Sequence, residues 1–155
     1  MELTRTLTAT VYIVNNGKVL LHNHKKFNTL FPVGGHMEAN ELPHETALRE
    51  AYEESGLNVK LYSDEEQLGL GRVKQLPRPM NLLLENIGHD KENIDFIYFA
   101  ISDTFDLNPA NGESKEFHWL SKYEIERDDN LMPHIKGMAL QALTVVSGYH
   151  SFNNS

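Results

Sequence analysis

Residues Thr10 to Val14 are rich in β-branched and aromatic side chains, which predicts a strand. Asn15-Asn16-Gly17 follows, and both Asn and Gly tolerate the positive φ of a tight hairpin turn. Lys18 to His24 then returns as a second strand. Leu30 to Val33 is short and apolar and ends at a Gly34-Gly35 turn. From Leu42 to Ser55 the period changes to that of a helix, with Ala47, Leu48, Ala51 and Tyr52 on one face. Asn40 is the expected cap, Pro43 suits the first turn, and Gly56 suits a left-handed stop.

Beyond that helix, Leu57 to Tyr62 and Leu68 to Leu76 read as strands, with Pro77-Arg78-Pro79 as an interruption. Met80 to Glu85 reads as a further strand, Asn86 to Glu92 as a loop, and Ile94 to Ile101 as the clearest late strand. Phe117 to Leu120 is short, and Ser121-Lys122-Tyr123-Glu124 has the capping-box pattern that opens a helix. Pro133 to Val146 carries one apolar stripe of Ile135, Met138, Ala139, Ala142, Leu143 and Val146. The polar tail from Ser147 is expected to fray. These elements predict one α/β domain over residues 1–155, a mixed sheet packed by helices.

Composition narrows the chemistry. The 155 residues include no Cys, which excludes disulfides, thiolate metal sites and a thiolate nucleophile. With 14 Lys and Arg against 22 Asp and Glu the net charge is −8, so binding of duplex nucleic acid through bulk positive charge is disfavoured. No signal-like or membrane-spanning apolar run is present, and a cytoplasmic location is the expectation.

The charge pattern is most unusual in Arg49-Glu50-Ala51-Tyr52-Glu53-Glu54. At about 100° per residue, Glu50, Glu53 and Glu54 fall in one sector of roughly 100°. Like charges at these spacings cost about 0.2–0.5 kcal/mol per pair. Glu53 and Glu54 also lie in the last turn, where the helix dipole disfavours anions. Arg49 relieves part of this through Glu53 at i+4 and Glu45 at i−4. A hard divalent cation would relieve it better, because oxygen-only ligands suit Mg2+ or Mn2+. A solvated acidic face accounts for the same residues equally well.

The spacing decides between the two. Gly35, five residues, Glu41, seven residues, then Arg49-Glu50, Ala51, Tyr52, Glu53-Glu54, Ser55, Gly56 and Leu57 resembles the Nudix box without a gap. The order of strands and helices on either side is also similar to that family. The resemblance implies an α/β/α sandwich and hydrolysis of a diphosphate bond in nucleoside diphosphates linked to another moiety. It implies Mg2+ or Mn2+ as cofactor, with Glu50, Glu53, Glu54 and the Gly34 carbonyl as metal ligands. Glu53 or Glu50 would be the general base, Arg49 would orient the carboxylates, and Gly35, Glu41 and Gly56 would have structural roles. Phe31-Pro32-Val33 before the glycines and Asn40 before Glu41 depart from the commonest pattern, in loop geometry rather than in metal chemistry. The implied partner is a small nucleotide substrate rather than a membrane, and a homodimer is one assembly the family allows.

Outside the box, Arg72, Lys74 and Arg78 are candidate phosphate contacts, as are Lys25 and Lys26. Glu113 and Glu116 are candidate late-loop acids, and Phe27, Phe31, Tyr98 and Trp119 are candidate stacking partners. His22 and His24 share a strand face but lack a third ligand for zinc. His36, inside the box loop, is a candidate phosphate contact or a solvent-facing side chain, while Asp90, Glu92 and Asp95 read as loop acids. A non-catalytic ligand sensor on the same fold is the competing function, but the complete set of box carboxylates argues for catalysis. An isomerase of the isopentenyl diphosphate type would need a catalytic Cys that this chain lacks.

Overall fold

The computed structural model describes residues 2–24, 26–109 and 116–153. The first strand, β1 (Thr4–Asn15), turns through Asn16 and Gly17, both at positive φ, into β2 (Lys18–His24). Next come β3 (Thr29–Phe31), β4 (Val33–His36) and α1 (Pro43–Ser55). The rest of the chain forms β5 (Lys60–Leu61), β6 (Asn81–Gly88), β7 (Lys91–Ile101), β8 (Phe117–Ser121), α2 (Lys122–Arg127) and α3 (Pro133–Asn153).

The mixed sheet is organised around β1. Along one edge β1 runs parallel to β7, in register from Thr4 opposite Lys91 to Val14 opposite Ile101. Its other edge is shared, with antiparallel β4 against Thr8 to Val11 and β2 against Val14 and Asn15. Side chains alternate between the two faces. Ala9, Val11, Ile13, Tyr98 and Ala100 pack with Ala47 and Ala51 of α1. Tyr12, Val14, Ile97 and Phe99 pack with Ile125 of α2 and with Ile135, Ala139, Ala142 and Leu143 of α3. The result is the expected α/β/α sandwich.

Several local expectations need correction. Gly34 and Gly35 are not a turn but lie within β4, paired with Thr10 and Ala9. The N-cap of α1 is Leu42, not Asn40, which sits two residues earlier in a left-handed turn. Glu45 closes this cap by accepting from the Leu42 N–H at 2.8 Å. The buried face of α1 is Thr46, Ala47, Ala51 and Ser55, while Leu48 and Tyr52 are exposed. Small side chains let the helix approach the sheet closely, and the larger ones turn outward.

Leu68 to Leu76 is not a strand, because Gly69 and Gly71 at positive φ break the extended repeat. Of Leu57 to Tyr62, only Lys60 and Leu61 pair, against the end of β7. Asn86 to Glu92 is largely paired, and only His89 and Asp90 form the turn between β6 and β7. The expected frayed tail continues α3 as far as Asn153, since no proline follows Val146 and one glycine costs an established helix only about 1 kcal/mol. The outer face of β6 leaves Leu82 and Leu84 about 60% exposed.

Candidate active site

The site is built on β4 and α1. Pro43 starts the helix, and Gly56 ends it in the left-handed conformation at φ 80°, its N–H donating to the Tyr52 carbonyl at 2.8 Å. A side chain at Gly56 would also collide with the Asn108 backbone, so this stop admits only glycine. Between these ends, α1 lies against β4 and presents its carboxylates to the glycine pair. A Cβ on Gly35 would overlap the Glu50 carboxylate. The Gly34 N–H donates to Glu54 Oε2 at 2.9 Å. In an extended strand the N–H and C=O of one residue point to the same edge. The Gly34 carbonyl therefore faces the Glu54 side as well.

Arg49 is the hub of the cluster. Its Nε and Nη2 donate to the two Glu41 oxygens at 2.7 and 3.1 Å, a bidentate fork. Its Nη1 donates to Glu50 at 3.0 Å and to Glu53 at 3.1 Å, and Nη2 also reaches the His36 carbonyl at 3.2 Å. Glu45, expected at i−4, is instead used in the helix cap. Glu41 accepts additionally from the Thr46 hydroxyl at 2.6 Å and the Glu38 N–H at 3.0 Å. Arg49 beside it, with these further donors, holds the Glu41 carboxyl down at about 2. The same hydrogen bond raises the Arg49 guanidinium above its usual range. Glu50 is pushed the other way, upward, by burial and then by the negative charge of Glu54.

No three His, Asp or Glu side chains among the described residues converge as a ready-made metal cage. The carboxylates are engaged instead by Arg49 and the Gly34 N–H. The donor set still fits a hard divalent cation. It is all oxygen and anionic, it is mounted on one helix, and Gly35 leaves room for Glu50 where any side chain would fill it.

On the opposite face of the sheet, beside the same two glycines, lies a pocket of about 200 Å3. Thr8, Thr10, Gly34, Gly35, Glu85, Asn93, Asp95 and His134 supply polar lining, and Phe31, Pro32, Ile97 and Ile135 supply apolar walls. Asp95 is a correction to the sequence reading. It is not a loop acid but an internal residue of β7, about 9% exposed. The available signal was its place inside the Ile94 to Ile101 strand, on the face that Ile97 and Phe99 also occupy. Thr8, Thr10, Glu85, Asn93 and His134 were not singled out from the sequence.

The other candidates lie apart from this pocket. Arg72 and Lys74 are exposed on the segment between β5 and β6, and Arg78 pairs there with Asp64 at 2.8 Å. Glu116 is exposed, 3.4 Å from His118. Glu113 and Lys25 lie outside the described residues. Lys26 sits over the Phe27 ring. Of the aromatic candidates only Phe31 lines the pocket; Tyr98 is core, and the Trp119 indole N–H donates to the Phe105 carbonyl. His36 is exposed and contributes to the pocket lining.

Comparison with known proteins agrees with this architecture. The NUDIX domain model matches residues 4–140. A NUDIX-family hydrolase from Clostridium perfringens is 40% identical, with a TM-score of 0.84 over 93% of this chain and 99% of that one. A MutT protein from Methanosarcina mazei Go1 is 17% identical, with a TM-score of 0.69 over 92% of this chain and 95% of that one. An Ap4A hydrolase from C. elegans is 15% identical, with a TM-score of 0.68 over 92% and 98%. The chain belongs to the Nudix family. It is a pyrophosphohydrolase by class, and hydrolases of this family generally use divalent metal ions. Among the described residues no helix is long and apolar enough to cross a membrane.

Proposed function

We propose that the enzyme hydrolyses the diphosphate bond of a nucleoside diphosphate linked to a further moiety. Glu50, Glu53, Glu54 and the Gly34 carbonyl would hold Mg2+ or Mn2+. The observation that supports this reading best is the position of the glycine pair: box carboxylates lie on one side of it and a ring-sized pocket on the other. The bound cation supplies charge neutralisation at the phosphate oxygens and a lowered pKa for coordinated water.

The chain's own residues do the rest. Arg49 fixes Glu50 and Glu53 against Glu41, so the carboxylates are oriented before substrate arrives. Glu53 takes the proton of the attacking water. Its side chain is 39% exposed against 16% for Glu50, so water reaches it more readily. The water oxygen bonds to phosphorus as the bridging P–O bond breaks. The non-phosphate moiety occupies the pocket beyond Gly34.

The test is product release from a panel of diphosphate compounds, with Mg2+ and with Mn2+, for the wild type beside Glu54→Gln. Metal-dependent turnover is expected, and the variant should lose more than about 100-fold, since even outer-shell partners of a metal ligand are worth 10–100-fold. Metal binding without turnover of any compound would favour a ligand sensor. Absence of metal binding would overturn the ligand assignment. Light scattering on the same preparation decides between monomer and homodimer.

A further inference from the structure

Asp95 is a buried carboxylate with no Lys or Arg beside it among the described residues of the pocket, where His134 is the basic group that faces it. Its partners are two hydroxyls on the neighbouring strand. Thr8 Oγ1 donates to Oδ1 at 3.0 Å, and Thr10 Oγ1 lies 3.0 Å from Oδ1 and 2.8 Å from Oδ2. Two hydroxyl protons meet a group with about four acceptor positions. Acceptor capacity is therefore left over, in a pocket that already holds a second acid, Glu85. An uncharged side chain would be much cheaper to bury here. The arrangement is costly to the fold and poised to accept N–H groups.

The remaining lining restricts what can enter. Asp95 and Glu85 disfavour a phosphate group beside them, and His36 and His134 add two imidazoles to the lining. Phe31 and Pro32, together with Ile97 and Ile135, offer apolar surface to a flat ring. The volume of about 200 Å3 is below the roughly 300–1,000 Å3 typical of pockets for larger ligands, so a single ring system is accommodated. A planar base that presents N–H donors satisfies these conditions together.

We propose that Asp95 is a specificity-determining residue that accepts a hydrogen bond from the exocyclic amino group of a nucleobase seated in this pocket. The proposal rests on the hydrolase reading above for the position of the diphosphate. It goes further in naming the group selected and the residue that selects it. The Thr8 and Thr10 hydroxyls orient the carboxylate, and Glu85, on the neighbouring strand β6, offers a second acceptor in the same pocket.

The experiment compares matched nucleoside triphosphates that differ in an amino group: GTP against ITP, ATP against ITP, and CTP against UTP. Turnover is measured with the full chain, and binding of the corresponding monophosphates is measured by calorimetry. In at least one pair the amino-bearing compound should be favoured by about tenfold or more, the effect of a hydrogen bond to a charged acceptor. Asp95→Asn keeps the shape and an acceptor for the threonines but turns an N–H toward the ligand. It should bring that ratio to near one or reverse it.

Ratios within about threefold in every pair, or a ratio that Asp95→Asn leaves unchanged, would overturn the proposal while leaving the hydrolase reading intact. Turnover absent but amino-selective binding present would do the reverse. Failure of every monophosphate to bind at millimolar concentration would also overturn it. Should Asp95→Asn not fold, Glu85→Gln at the half-buried edge strand reads the same selectivity. A reduction of about threefold supports the proposal, and an unchanged ratio there counts against it.

Discussion

The two sides of the Gly34-Gly35 strand hold acids in opposite electrostatic settings. On the α1 side, one guanidinium serves Glu41, Glu50 and Glu53, and a backbone N–H serves Glu54. On the α3 side, Asp95 has two threonine hydroxyls, no Lys or Arg among the described residues of the pocket, and His134 as the nearest basic group. Glu41 and Asp95 are shifted in opposite directions. Glu41 is held far below the ordinary carboxylate range by Arg49, whereas Asp95 is raised by burial, which its hydroxyl partners only partly offset. The first arrangement fixes geometry in advance of the reaction. The second leaves an acceptor unsatisfied for a ligand.

The largest effect expected from breaking this contrast is at the strand itself. Gly35→Ala would place a methyl group against the Glu50 carboxylate and move it. Hydrolysis should fall by about 10–100-fold, the usual consequence of displacing groups that orient a metal ligand. Base binding in the pocket, on the other face, should change far less. Calorimetry with a nucleoside monophosphate beside the activity assay separates the two. An equal loss of both would show that the sides are not independent.

The two sides also differ in how far the sequence revealed them. Glu50, Glu53 and Glu54 are gathered by helical spacing, which is local and can be counted along the chain. The fixed distance to Gly35 and Glu41 extended that reading across the loop. The pocket depends on long-range register. Thr10 and Asp95 meet because β1 and β7 run parallel and in register over their whole length. Nothing within either segment announces that pairing. The sequence therefore places Asp95 among loop acids and Thr10 at the start of a strand, and does not single out Thr8. The sandwich itself was legible, because the apolar stripe of α3 and the strand patterns are strong. Leu68 to Leu76 was not, because its β-prone composition conceals two glycines at positive φ.

A smaller effect is expected from Arg49→Lys, which tests whether the hub works by charge or by shape. Lysine keeps the charge but cannot form the fork to both Glu41 oxygens while reaching Glu50 and Glu53. Unfolding should become easier by about 1–3 kcal/mol, the worth of hydrogen bonds to charged groups. For a chain of this size that is a fall in Tm of several degrees. An unchanged Tm would mean that the cluster requires only a positive charge.

The smallest effects are in the pH dependence of stability, where Glu41 and Asp95 should show opposite signs. The folded pKa of Glu41, about 2, lies below its ordinary value of 4.5. Its ionised form therefore stabilises the fold above about 4.5, and that contribution disappears as pH falls through about 2. Glu41→Gln should accordingly be less stable than the wild type at neutral pH, and the gap should close on acidification. The folded pKa of Asp95 is raised above 3.8. Its ionisation costs stability once pH rises beyond that value, so Asp95→Asn should match or exceed wild-type stability at neutral pH. Any advantage should vanish in acid, where both side chains are neutral. Chemical denaturation of both variants between pH 3 and 7 reads the two slopes. If Asp95→Asn instead followed the Glu41 pattern, its carboxylate would be a structural anchor rather than an acceptor held open for a base. Stability gained together with base selectivity lost would mark Asp95 as a residue whose cost to the fold is justified by its ligand.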